Sequence, residues 1–453
     1  MGTPRIGLPS GRAARRGAWR LVVVTADQCL SSLINLGLSL FAATALSADE
    51  FGAFALVFAA YLLWLGVVRA CVSSPLTIRF STTDLMNWRQ AASASAGAAI
   101  LLGLGGSVLL GLVSAVAGVG GHGMAVLALV LPGLMLLDQL RFAFFARGRP
   151  IGALTADVLW AAFLAATLFV LTRADAMHLV GLVVAWGCAA SLSALVVLSA
   201  ARITPRVAKA ARWLTDHRDL GFSLTGDFLL AGGLSQLLSF AVAAIAGVAA
   251  AGALRGAHVL LGPVHIVMIA APAFSVPEGS RLLRVAPHYL RPAMYAVTAG
   301  AAAATLAWGL LLVALIPDGA GRQILGATWD GAHNVLPALI VLTTITALGL
   351  GFLVGLRVLE QPARSVRARA VAAPFLLLGG TVGAALAGAE GSVWGQCLPL
   401  AILVLAWRKQ FEDSFRSYKS QSSSASRGAD DRRNLRVPDA ETRDTLQPPA
   451  NAT

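Results

Sequence analysis

An apolar run of about 20 residues commits a chain to a membrane, because a helix of that length spans the hydrocarbon core. Here such runs recur from one end of the sequence to the other. They fall at 20–50, 51–74, 91–117, 124–146, 151–172, 176–200, 221–248, 252–276, 292–316, 332–357, 367–388 and 391–407, twelve candidate spans of which the last is short and the eighth is interrupted by Pro263, Pro272 and Pro277. In lipid each backbone polar group must be bonded within its own segment, so spans of this length are helices. Only 13% of the 453 residues are charged and 57% are hydrophobic, whereas a soluble domain carries about 25% charged residues. The chain reads as an all-α polytopic membrane protein.

Charge placement orients it. The net charge of +13 invites a nucleic-acid reading, but the basic residues sit at span ends rather than in a patch, so no nucleic-acid partner is expected. With a cytoplasmic N-terminus, every Lys and Arg but four falls on the inner side; Arg173, Arg255 and Arg322 lie outside and Arg69 within a span. That asymmetry is the positive-inside rule. It predicts a bacterial-type plasma-membrane location with both termini cytoplasmic. Arg12, Arg15, Arg16 and Arg20 ahead of the first run imitate a secretory leader. The run is too long for one and is broken by Asp27 and Asn35, so an uncleaved first helix is expected. Cys29, Cys71, Cys188 and Cys397 all lie inside apolar runs without metal-ligand spacing, as packing residues do.

The expected organisation is a basic cytoplasmic N-tail (1–19), a first lobe of six helices (20–200), a basic inter-lobe loop (201–220), a second six-helix lobe (221–410) and a disordered cytoplasmic tail (411–453). The loop carries Arg202, Arg206, Lys209, Arg212 and Arg218. At an offset of 200, Thr25-Ala26-Asp27 faces Thr225-Gly226-Asp227, Leu38-Ser39 faces Leu238-Ser239, and Gly52-Ala53 faces Gly252-Ala253. Six spans separate the copies, an even number, so the two lobes would form a parallel pseudo-repeat around a central cavity.

Enzyme motifs are missing from the sequence. None of the three lysines, Lys209, Lys409 and Lys419, belongs to a phosphate-binding loop, and no HExxH, GxSxG or Cys-rich spacing occurs. No catalytic residue, cofactor or metal is therefore expected. A membrane-embedded glycosyltransferase, the reading from another class, would have to use Asp49 and Glu50 in the first outer turn.

The informative residues are polar groups inside spans. A charge at the bilayer centre costs about 2.5–3.5 kcal/mol on insertion scales, so it faces protein or water. In the first span Asp27, Ser31 and Asn35 repeat at i, i+4, i+8 with Gln28 and Ser32 alongside, and the second span carries Arg69. Folding about residue 48 sets Asp27 and Arg69 at one depth. Either they hold each other, or Asp27 steadies Arg69 for an anionic head group. Asp227, Ser235, Gln236 and Ser239 form a similar face on the seventh span, and Ile269 stands where Arg69 would be matched. Asp227, lacking that partner, is a candidate for cation coupling. The turn near residue 148 brings Asp138 opposite Asp157, with Arg141 one turn away, a cluster that either relays protons or pins helices. Arg255 lies near the outer end, where it can snorkel, and is a further cavity candidate. His258 and His265 read as packing residues.

The run Ala26-Asp27-Gln28-Cys29-Leu30-Ser31-Ser32-Leu33-Ile34-Asn35, the turn Ser47-Ala48-Asp49-Glu50-Phe51-Gly52, and Arg69 followed by Ser73-Ser74-Pro75-Leu76-Thr77-Ile78-Arg79 resemble Wzx-like polysaccharide exporters. Their superfamily, the multidrug/oligosaccharidyl-lipid/polysaccharide (MOP) exporters, also holds multidrug antiporters and lipid II flippases. The resemblance implies two six-helix lobes that rock between inward-open and outward-open states. It further implies a polyprenyl-diphosphate-linked glycan as substrate, flipped between leaflets, with Arg69, Asp27, Gln28, Asn35, Gln236 and Arg255 as cavity residues. Asp227, Asp138, Asp157 and Arg141 are then candidates to couple a proton or Na+. The sequence departs from that pattern in having few cavity cations and in Ser73-Ser74 before Pro75. A cation-coupled multidrug or small-molecule antiporter is the alternative, with Asp27 and Asp227 as coupling acids.

Overall fold

The computed structural model describes residues 11–81, 83–116 and 121–434, all of them helix or short connection with no strand. In chain order the helices are α1 (Gly11–Ala45), α2 (Ala48–Phe80), α3 (Leu85–Val116), α4 (Gly121–Arg147), α5 (Pro150–Arg173), α6 (Leu179–Ala201) and the short α7 (Ala210–Asp216). They continue as α8 (Arg218–Ala246), α9 (Val248–Leu260), α10 (Gly262–Val285), α11 (Leu290–Leu315), α12 (Asp318–Leu325), α13 (Trp329–Val358) and α14 (Pro362–Asn434). Among the described residues ten helices are long and apolar enough to span a membrane, or eleven with α9 and α10, bent by 62°, taken as one broken span. α14 is itself a hairpin, doubled back at Ala387 (φ −147°) and Gly388 (φ +60°). Its arms, 362–386 and 389–434, pack backbone to backbone: a Cβ on Gly379, Gly383, Gly391 or Gly395 would strike the facing carbonyl. Counting the arms separately gives the twelve spans expected, in a multi-pass membrane protein.

The bundle is built around α2. Ser47 and Glu50 cap its start reciprocally, the Glu50 N–H donating to Ser47 Oγ and the Ser47 N–H to Glu50 Oε2, each at 3.3 Å. Such a box is worth about 0.5–2 kcal/mol. From Phe51 to Tyr61 the helix is apolar all round and correspondingly buried all round. Phe51, Phe54, Phe58 and Tyr61 make a ladder along one face, ending on Trp186 of α6, whose ring centroid lies 4.7 Å from that of Tyr61. On the other side α2 crosses α9 of the second lobe at Gly52, where a Cβ on Gly252 would come within 3.0 Å of the Gly52 Cα. The glycines aligned by the offset of 200 thus meet one another. Both α2 and α8 contain a π turn, at Arg69–Ser73 and Leu229–Gly233, and at those turns the two helices face each other.

The segments between and beyond the spans are also structured. α1 starts at Gly11, so the basic tail of 1–19 is helical in its second half, while residues 1–10 lie outside the described set. The inter-lobe loop is packed. The Arg206 N–H donates to Ser93 O at 2.9 Å, Ile203, Ala210 and Trp213 are buried, and the rings of Trp213, Phe80 and His217 pack together as a triad. Disorder does not begin at 411: the helix runs on to Asn434, with 435–453 outside the described set. Phe411 is fully buried beside Phe352, and Glu412 pairs with Arg291 at 2.9 Å, so an apolar stripe and an ion pair hold this polar stretch to the second lobe.

Candidate functional site

Five charged residues from four helices join into one network in the first lobe. The Arg69 Nε–H and Nη2–H donate to the two oxygens of Asp138, at 2.9 and 2.7 Å. Arg141, one turn further along α4, reaches Asp138 at 3.3 Å and donates through Nη2 to Asp27 of α1 at 2.7 Å. Its Nε lies 3.0 Å from Asp157 of α5, within ion-pair distance but without hydrogen-bond alignment. Asp27, Asp138, Arg141 and Asp157 are all buried; Arg69 keeps 36% of its side chain exposed.

The expected Asp27–Arg69 pair does not form. The hairpin reading took sequence neighbours for packing neighbours, but α1 leans mainly on α5, and α2 presents Arg69 to α4. Asp27 therefore meets Arg141 and Arg69 meets Asp138, so the two clusters foreseen separately are one. With three carboxylates against two guanidiniums, the fully ionised network carries a net charge of −1. One oxygen of Asp27 and both of Asp157 are buried without a hydrogen bond, which is costly at such a site.

Two spaces open on this network. A cavity of about 110 Å³ is bounded by Gln28, Asn35, Tyr61, Asp138, Arg141 and Asp157 among others. A larger cleft of about 460 Å³ lies between the lobes, with Leu65, Ser74 and Ala70 of α2 facing Asp227, Phe228 and Gln236 of α8. Arg69 borders both. It stands in the π turn of α2, which interrupts the regular helical register there.

The remaining candidates are placed as follows. Gln28 lines the small cavity, as does Asn35, whose Nδ2–H donates to Ser31 O at 2.9 Å. Gln236 lines the cleft. Asp227 is not unpaired: Arg369 from the first arm of α14 lies 3.7 Å away, a partner that the offset comparison with Ile269, whose side chain is outside the described set, had no means to find. Arg255 does not snorkel outward. It crosses from α9 into the first lobe, donating to Ser39 Oγ at 2.8 Å and lying 3.9 Å from the ring centre of Phe58. His258 and His265 each bond a backbone carbonyl one turn back and stack at 6.0 Å across the α9–α10 bend. Sequence reasoning missed Gln139, which accepts from Ser73 Oγ at 2.5 Å, and Tyr61 and Trp160 in the cavity wall. The close run Asp138-Gln139-x-Arg141 within one span was the available signal for the first.

No protein-family model and no curated protein sequence matches the chain. Solved structures do. A multidrug resistance MATE family transporter of the MOP superfamily, in its inward-facing conformation, superposes with a TM-score of 0.69 at 14% identity, covering 86% of this chain and 96% of the other. The lipid II flippase MurJ in an inward closed conformation gives 0.69 at 10% identity, over 87% and 89%. A MOP superfamily transporter from Pyrococcus furiosus, with a binding pocket of reverse polarity, gives 0.58 at 14% identity, over 88% and 95%. The fold is therefore the two-lobed helical bundle of MOP superfamily transporters. Function has to be argued from the site.

Proposed function

We propose that this protein is a transporter that flips a polyprenyl-diphosphate-linked oligosaccharide across the cytoplasmic membrane by alternating access, coupled to a proton or Na+. Its basic end, with both termini, would face the cytoplasm. The observation carrying this reading is that Arg69 borders both the carboxylate cavity and the cleft between the lobes. A diphosphate head cannot cross hydrocarbon alone. In the cleft it would meet a guanidinium already held in place by Asp138.

The net charge of −1 in the network supplies the coupling. A proton on Asp27 or Asp157, or a monovalent cation beside their unpartnered oxygens, balances it and weakens the hold of the carboxylates on the two guanidiniums. Arg69 is then freer to bind an anion in the cleft. Cation and head group thus favour the same state, the differential affinity that any coupled transporter needs. The multidrug and lipid II transporters that share the fold favour this class of reading over a glycosyltransferase. So does Glu50, whose carboxylate is engaged in the α2 cap.

The test is flipping of a fluorescent polyprenyl-diphosphate glycan in proteoliposomes. Arg69→Ala, inserted at normal levels, is expected to lower the rate at least about tenfold, with Arg69→Lys intermediate because it keeps the charge but not the bidentate fork. A wild-type rate in Arg69→Ala would sink the proposal. The excess of carboxylates favours a second reading, a cation-coupled exporter of small amphipathic compounds. Drug efflux driven by a pH gradient and lost in Asp157→Asn, with no glycan flipping, would establish that one instead.

A further inference from the structure

The second lobe carries a cation whose donors are unspent. Arg369 makes no hydrogen bond among the described residues, and its one ionic contact, to Asp227 Oδ1, is 3.7 Å long. It lies 5.3 Å from the ring centre of Trp407, on the other arm of α14. Trp407 is itself fixed, buried and donating its indole N–H to Ser365 O at 3.3 Å. Contact with an indole face occupies the face of a guanidinium and leaves its in-plane N–H fork available. Arg69 offers a contrast, with two of its donors spent on Asp138. Asp227, meanwhile, lines the cleft opposite Arg69 and is 47% exposed. Nothing but that distant guanidinium pairs with it among the described residues.

We propose that Arg369 is a head-group site on the second lobe and that Asp227 is a tethered stand-in for the ligand, neutralising Arg369 until a phosphate or diphosphate displaces it. This rests on the transport reading above and deepens it by naming the second anchor. A carboxylate at 3.7 Å neutralises charge without the strength of a bidentate bond, so it yields to a phosphate oxygen that reaches the fork. The same arrangement rejects ligands without an anion, because opening the pair for a neutral head leaves both charges uncompensated. Arg369 reaches the cleft through Asp227, which lines it across from Arg69, so a diphosphate that displaces Asp227 would have one anchor per lobe and would draw the lobes together.

The experiment measures binding of farnesyl diphosphate, inorganic pyrophosphate and farnesol to the purified full chain in detergent, by quenching of tryptophan fluorescence. Farnesyl diphosphate is expected to bind, and Asp227→Asn to tighten it on the order of fivefold, the range of a partly exposed pair. Arg369→Ala should weaken it about tenfold or more, with Arg369→Lys in between. Farnesol should not bind in any form. Pyrophosphate binding as tightly as farnesyl diphosphate identifies a free phosphate as the ligand; the isoprenyl chain adding affinity identifies a lipid head. Unchanged affinity in Asp227→Asn, or in Arg369→Lys with the protein monodisperse, overturns the proposal. Should the binding pattern hold while glycan flipping fails, the head-group site stands and the transport reading falls.

Discussion

At the scale of single residues, Arg141 is the keystone of the charge network, touching all three carboxylates. Removing one partner of a buried ion cluster strands charges that cannot reach water, at a cost of about 3–5 kcal/mol. Arg141→Ala is therefore expected to lower the melting temperature in detergent markedly, and Arg141→Ala with Asp157→Asn to recover part of the loss. Recovery would show that the cost lies in unpaired carboxylates rather than in lost packing. The identity of the charged residues was legible in the sequence, since Asp27, Arg69, Asp138, Arg141 and Asp157 all stand out within apolar runs. Their pairing was not. A turn fixes the depth of its two flanking helices but not which faces touch, and α2 turned its guanidinium toward α4 instead of α1.

At the scale of elements, spans were readable because hydrocarbon thickness sets their length, and most expected runs correspond to one helix within several residues, the eighth covering the bent pair α9 and α10 and the last two the arms of α14. Features inside a span were less so. The π turns of α2 and α8 carry no residue that requires them, and the bend between α9 and α10 falls at Leu261, just before Pro263 and well before Pro272 and Pro277. The continued helix after 410 was hidden by a polar composition in which Phe411 and Phe415 alone carry the apolar stripe. α2 crosses α9 of the other lobe with the two backbones in close approach. Gly52→Leu drives a side chain into the Val248 carbonyl, and overpacking of this kind costs about 1–3 kcal/mol. Its expected result is a lower melting temperature together with loss of transport, while Gly37→Leu, where a Cβ meets nothing within 4 Å, should leave both unchanged.

At the scale of the whole molecule, the lobes also touch at Cys71, whose sulfur lies 3.3 Å from Thr225 Oγ1 across α2 and α8. Thr225→Cys is expected to form a disulfide with the native Cys71 under oxidation, which joins the lobes beside the cleft. If they must separate there in each cycle, oxidation stops transport and dithiothreitol restores it. A cross-linked protein that still transports would place the moving joint elsewhere.

The crossing at Gly52 lies at one end of α2 and the Arg79–Asp219 pair near the other. Between them runs about 40 Å of helix at 1.5 Å per residue. A pivot kept at the glycines makes that length a lever, along which a tilt of roughly 10° carries the far end about 7 Å. The fastenings there are the Phe80–Trp213 stack, the Arg79 bond to Asp216 O and the exposed Arg79–Asp219 ion pair, of which the last is worth about 0–1 kcal/mol and is screened by salt. The molecule resembles a door hung on a stiff hinge and held shut by several catches, one of them salt-sensitive, so ionic strength should shift how often it stands ajar.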